Sequence, residues 1–179
     1  KKGGYSTWQK NKDKQTFFRF HSPRDTEFPD MIELFSRNPN MGQLFENQKI
    51  VPVRIDDVPS LSAILLDEEY YNCLLGGKKL HGGLYVLTTE YLILFKMKAY
   101  LDLKERKLKG ETVDSDDIKK HKNDVFRLVQ KVGRQSKTHI SANIISDVNQ
   151  FLEEMKTDTP DVKNLKLNLN LKDALTTLG

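Results

Sequence analysis

Apolar residues change their spacing along this chain. In the first third they fall in short runs, at 5–10, 16–21, 31–36, 50–55 and 61–66, each bounded by polar or proline-containing stretches. Runs of that length predict strands. Asn11-Lys12-Asp13-Lys14 reads as a hairpin turn between the first two. Ser22-Pro23-Arg24-Asp25 and Asn38-Pro39-Asn40-Met41-Gly42 read as loops, because proline biases its predecessor away from helix. Residues 67–75 predict a short helix with acids in its first turn and Gly76-Gly77 ending it, then a brief strand at 84–87.

From residue 88 the spacing becomes helical. Thr88 or Thr89 can cap a long helix running to Leu108, with Gly110 as its stop. Asp114 or Ser115 caps a second, which runs to Lys131 before Gly133. A third spans 141–156, where Ile144, Ile145, Val148, Phe151, Leu152 and Met155 follow one helical face. After Asp158-Thr159-Pro160, Leu165, Leu167, Leu169 and Leu171 alternate with polar residues, which predicts an extended segment, and a last short helix covers 172–178. Strands first and helices second predict an α+β fold rather than an alternating α/β one. The expected division is a strand-rich portion over 1–87 and a helical subdomain over 88–179.

Composition narrows the class. With 37% hydrophobic and 30% charged residues, the 179-residue chain can build a core, and it is neither a disordered nor a membrane-embedded sequence. Its longest apolar stretch, Tyr91 to Phe95, is far short of the roughly 20 residues a bilayer span needs, so no membrane partner is expected. Cys73 is the single cysteine; no internal disulfide can form, and a reducing, cytoplasmic setting is expected. The four histidines show no zinc spacing. A net charge of +4 permits a nucleotide or nucleic-acid partner without requiring one. The first residue is a lysine and no signal peptide follows it, so a processed or truncated product is expected.

Three places carry candidate chemistry. Glu33 is an acid bracketed by apolar residues in Met31-Ile32-Glu33-Leu34-Phe35, which suits a strand-borne ligand for a divalent metal; the alternative is a solvated acid or a partner for Arg19 or Arg37. Lys96 has only apolar or aromatic helical neighbours, Leu92, Ile93, Ala99 and Tyr100, so its ammonium must reach solvent or meet an anion across an interface. That anion is either a nucleotide phosphate or a carboxylate. Lys98, by contrast, has Asp102 one turn on. Asp114, Asp116 and Asp117 crowd a helix start, where acids complement the dipole; Asp117 has His121 one turn later and Asp124 beyond it, a possible polar network. The basic runs 104–109 and 119–122 suit either phosphates or a solvated helix face.

On these residues the chain resembles the nucleotidyltransferase superfamily, in the bacterial branch related to AbiEii-type abortive-infection toxins. Residues 29–37, with Ile32-Glu33-Leu34, look like the superfamily's acid-bearing third motif. Residues 92–100 look like its lysine-bearing helix, and 114–128 like the acidic helix start that follows. The resemblance implies a partial nucleotidyltransferase-like core with a mixed β-sheet, followed by a helical carboxyl-terminal subdomain. It also implies three carboxylates holding two Mg²⁺ ions, which promote in-line attack of an acceptor hydroxyl on a nucleoside triphosphate (NTP). Carried over, Glu33 is the third carboxylate, a catalytic metal ligand; Lys96 is the partner of the triphosphate, and Asp117 a further nucleotide-site residue. The implied partners are an NTP, an acceptor such as a tRNA, and an antitoxin protein. The family's Gly-Ser turn with an Asp-x-Asp pair does not occur here. The expectation is therefore the carboxyl-terminal part of such a protein, inactive alone. Its rival is a non-enzymatic module of the same fold that holds a nucleotide, an RNA or a protein.

Overall fold

The computed structural model describes the chain apart from residues 1–2, 12–13, 34, 38–49, 56–57, 134–136, 162–164, 166 and 169; over 7–19, 33–37 and 50–66 the description is of the backbone. Two units form, Lys1–Tyr71 and Asn72–Gly179.

The first unit is built of strands. β1 (Ser6–Asn11) and β2 (Lys14–His21) pair antiparallel, with Asn11 opposite Lys14, so the expected turn closes there although Lys12 and Asp13 lie outside the described residues. β3 (Met31–Glu33) adds antiparallel to β2, with Glu33 opposite Arg19. β4 (Phe35–Arg37) runs parallel to β6 (Val58–Leu66), and β5 (Ile50–Ile55) runs antiparallel to β6, which makes the second sheet mixed. Pro52 is tolerated because β5 lies at a sheet edge, where a missing N–H breaks no inner ladder. The single strand expected over 31–36 is described as two, β3 and β4, in different sheets, with residue 34 outside the described residues. An apolar run carries no mark of which partner each half will meet. The loop expected at 38–42 lies outside the described residues.

The division between units falls within α1 (Glu68–Gly77). α1 begins where Asp67 accepts the Tyr70 amide at 2.8 Å. Its two glycines belong to its last turn rather than following it. Gly82 and Gly83, at φ 56° and 82°, make the tight turn between β7 (Lys78–His81) and β8 (Leu84–Leu87). The Thr88 amide then bonds the Gly77 carbonyl at 2.9 Å, which ties the hairpin to the helices.

Four helices complete the second unit: α2 (Thr89–Leu108), α3 (Ser115–Val129), α4 (Ala142–Glu154) and α5 (Leu171–Leu178). The starts of the last three follow side-chain chemistry. Asp114 accepts the Asp116 amide, Ser141 the Ile144 amide and Asn170 the Asp173 amide. Gly110, at φ 83°, ends α2 in the left-handed region. α2 packs on α3 and α4, and α5 closes against α3 and α4. The core they share holds Tyr100, Phe126, Phe151, Ile144, Val125 and Val129, none more than 1% exposed. On α4, Ile144, Val148, Phe151 and Met155 are buried as spaced, whereas Ile145 is 46% exposed, so the buried stripe is narrower than expected. The leucines at 165 and 167 are not in a strand, and Leu171 opens α5 instead of extending one. Helices and strands are both present and the second unit is predominantly helical. Among the described residues no helix is long and apolar enough to cross a membrane.

Candidate functional site

Lys96 rises from the buried stripe of α2 between Met97, 1% exposed, and the core residues Ile93 and Tyr100. It meets a carboxylate on the neighbouring helix: Lys96 Nζ donates to Asp124 Oδ2 at 2.8 Å, with the two side chains 25% and 22% exposed. The other oxygen of Asp124 accepts from Arg127 Nη1 at 3.3 Å. Burial pushes the Asp124 carboxyl up, but the Lys96 hydrogen bond and charge, with Arg127, outweigh it and hold the group below the usual carboxylate range. The ion pair is therefore fixed and charged at neutral pH.

His121 stands one turn before Asp124 on α3, and its Nδ1 is buried with no hydrogen-bond partner among the described residues. Burial lowers its pKa first and the Lys96 charge lowers it further, against a smaller opposing pull from Asp124. The ring is neutral at pH 7. Asp117, one turn earlier, is exposed in the first turn of α3 and acts on His121 through its charge. Three of the residues singled out from sequence, Lys96, His121 and Asp124, are thus brought together, with Asp117 at the margin. Glu33 belongs to β3 in the first unit, opposite Arg19 in the ladder. Lys98 donates to Asp147 on α4 at 3.0 Å, a partner 49 residues away that the one-turn spacing to Asp102 does not suggest.

The histidine gives a pH signature. Its folded pKa lies below its unfolded value of roughly 6.5, so on acidification the unfolded chain takes up the proton first. Stability contributed by neutral His121 is complete above that value and declines as pH falls beneath it. Thermal melts between pH 7.5 and 5.5 should show a falling midpoint in the wild-type protein and a smaller fall in His121→Gln. The depressed carboxyls of Asp124 and Asp158 act in a separate window, below about pH 4, where protonation removes their contribution.

A second ionic cluster, with no local sequence signal, joins the far end of α2 to the segment after α4. Tyr100 donates to Glu154 at 3.1 Å and to Asp158 at 2.9 Å, Lys104 donates to Glu154 at 2.5 Å, and Lys122 pairs with Asp158. Burial, then the two carboxylates, push the Tyr100 hydroxyl well above its ordinary range, so it remains a donor.

Two magnesium ions need several carboxylates converging on one point. Among the described residues no group of three or more His, Cys, Asp or Glu is placed to hold a metal ion, and Asp124 spends both oxygens on cations. The described residues do not by themselves fit a two-metal centre. No protein-family model, curated protein or solved structure matches this chain.

Proposed function

We propose that this chain acts as the carboxyl-terminal, nucleotide-holding part of a nucleotidyltransferase-like protein, with Lys96 as the cation that meets the triphosphate. One observation carries the proposal: beside the Lys96–Asp124 pair lies a buried imidazole nitrogen, that of His121, with no partner among the described residues. A buried polar atom left unsatisfied costs about 1–3 kcal/mol, so a ligand oxygen that reached this nitrogen beside the anchored ammonium would recover that cost. Lys96 spends one of its three donors on Asp124. A phosphate oxygen entering here accepts from a remaining Lys96 N–H and from His121 in the tautomer that carries its proton on Nδ1. Asp124 keeps the ammonium in place during the exchange, and neutral His121 adds no competing charge.

In this reading Asp117, exposed in the first turn of α3, is a further nucleotide-site residue, and Glu33 stays a candidate metal ligand of the first unit. Transfer of a nucleotide needs further carboxylates, so the property proposed for the described residues is binding. Calorimetric titration with ATP, with and without Mg²⁺, tests it. Wild-type protein should bind weakly, and Lys96→Ala should lose at least tenfold in affinity, about 1.4 kcal/mol. Equal affinity in the two proteins removes the lysine from the site.

A further inference from the structure

The Lys96 cluster does not account for a second concentration of positive charge in the helical unit. Farther along α2, where it passes the first turns of α3, a cleft of about 600 Å³ is bordered by Lys104, Lys107, Lys119 and Lys122. That volume lies within the range of small-molecule sites.

The four lysines are not equivalent. Lys122 is 9% exposed and is held by the carboxylate of Asp158, which the Tyr100 hydroxyl steadies from behind. Lys104 is held by Glu154, and its ammonium lies 5.3 Å from the Tyr100 ring centroid. These two cations form a fixed inner wall. Lys107 and Lys119 stand at the outer edge, both exposed. Among the described residues neither has a carboxylate partner; Lys107 donates to the Ser115 hydroxyl at 2.5 Å. Four ammoniums thus face two carboxylates, Glu154 and Asp158, and two positive charges remain unbalanced around one cavity.

Like charges held around a concave, partly desolvated surface raise its potential and favour a multivalent anion. A single carboxylate would neutralise half of the surplus. A diphosphate spans two cations and offers the oxygen acceptors that ammonium groups and a serine hydroxyl require. Leu108, 85% exposed, and the half-buried Ile118 border the same cleft and provide apolar contact for a non-polar portion of the ligand.

We propose that this cleft is a binding site for a small phosphorylated molecule of the diphosphate class, anchored by Lys107 and Lys119 at the edge and by Lys104 and Lys122 within. The site is separate from Lys96 and does not rest on the nucleotidyltransferase reading.

The test uses inorganic pyrophosphate as probe and Lys96→Ala as the starting protein, so that any anion binding beside Lys96 is removed. Calorimetry should show saturable binding that weakens steeply with added salt. Adding Lys107→Ala and Lys119→Ala should reduce affinity at least tenfold. Both positions are exposed on helices that accept alanine, and circular dichroism checks that the fold is kept; if it is not, the single Lys119→Gln replaces them and should weaken binding at least threefold. Amide chemical shifts on titration should move around Ser115 and Lys119. No saturable binding at millimolar pyrophosphate, or affinity unchanged by the lysine substitutions, overturns the site. Binding of a single-stranded RNA oligonucleotide through these lysines with none of pyrophosphate also overturns it, in favour of a polynucleotide surface. Loss of ATP binding in Lys96→Ala with pyrophosphate binding retained separates the two sites.

Discussion

Phe151→Ala should lower the unfolding free energy of the helical unit by about 3–5 kcal/mol. The ring is fully buried on α4 and joins two others, edge-on to Tyr100 at 5.3 Å and 80° and tilted to Phe126 at 6.3 Å and 36°. One side chain therefore links α4 to both α2 and α3. Truncation removes the transfer free energy of the ring and leaves a void that these neighbours cannot fill without leaving their own contacts, Tyr100 least of all because its hydroxyl is bound to Glu154 and Asp158. Since a domain's whole stability is about 5–15 kcal/mol, much of the population should unfold at moderate denaturant. Urea unfolding followed by circular dichroism measures this. Leu108→Ala, at a side chain 85% exposed, is the comparison and should change stability by no more than about 0.5 kcal/mol. A Phe151→Ala loss below about 1 kcal/mol would mean that the three helices do not share this core.

The neighbouring glycines Gly76 and Gly77 should respond to alanine with opposite signs. A Cβ on Gly77 would lie 2.7 Å from Tyr91 Cδ1 and closer still to Tyr91 Cγ and Cβ, so the ring and the start of α2 would have to shift. Overpacking of that kind costs about 1–3 kcal/mol, which exceeds the roughly 1 kcal/mol that alanine gains over glycine in a helix. The same addition at Gly76 meets the Tyr91 hydroxyl at 3.8 Å, ordinary contact, and the helix gain of up to about 1 kcal/mol remains. Melting midpoints of the two variants, one below and one above wild type, are the expected result. Two falling midpoints would show that the backbone at Gly76 needs glycine for another reason.

The helices were largely legible because their ends carry local chemistry. Asp114 and Ser141 cap starts with their side chains and Gly110 marks a stop, each effect confined to one turn; Thr88 stands at the N-cap of α2 without a side-chain cap bond. β7 was not legible. Lys78-Lys79-Leu80-His81 has no apolar alternation, and it is a strand because a Gly-Gly turn folds it onto Leu84–Leu87. Burial contrast on Lys96 was readable from one helix alone and led to an anion across an interface. Which anion was not, since Asp124 is 28 residues away. The Lys104–Glu154 and Lys122–Asp158 pairs, 50 and 36 residues apart, depend on helix packing that no local pattern encodes. His121 was visible as one member of a one-turn series, but the burial of its Nδ1 without a hydrogen-bond partner among the described residues arises only from helix packing.

The β7–β8 ribbon holds Leu80, Leu84 and Tyr85 at 64%, 72% and 69% exposure, and among the described residues no third strand joins it. Such a ribbon offers another copy a backbone to anneal to. Lys78 and Lys79 stand on the same strand, with the Lys78 ammonium 5.0 Å above the Tyr85 ring. Stacking two ribbons would crowd four ammoniums together, a repulsion that reaches only about 10 Å at 0.1 M salt and shortens as salt rises. Any edge-to-edge pairing of two copies should therefore be opposed in dilute buffer and eased as salt is added.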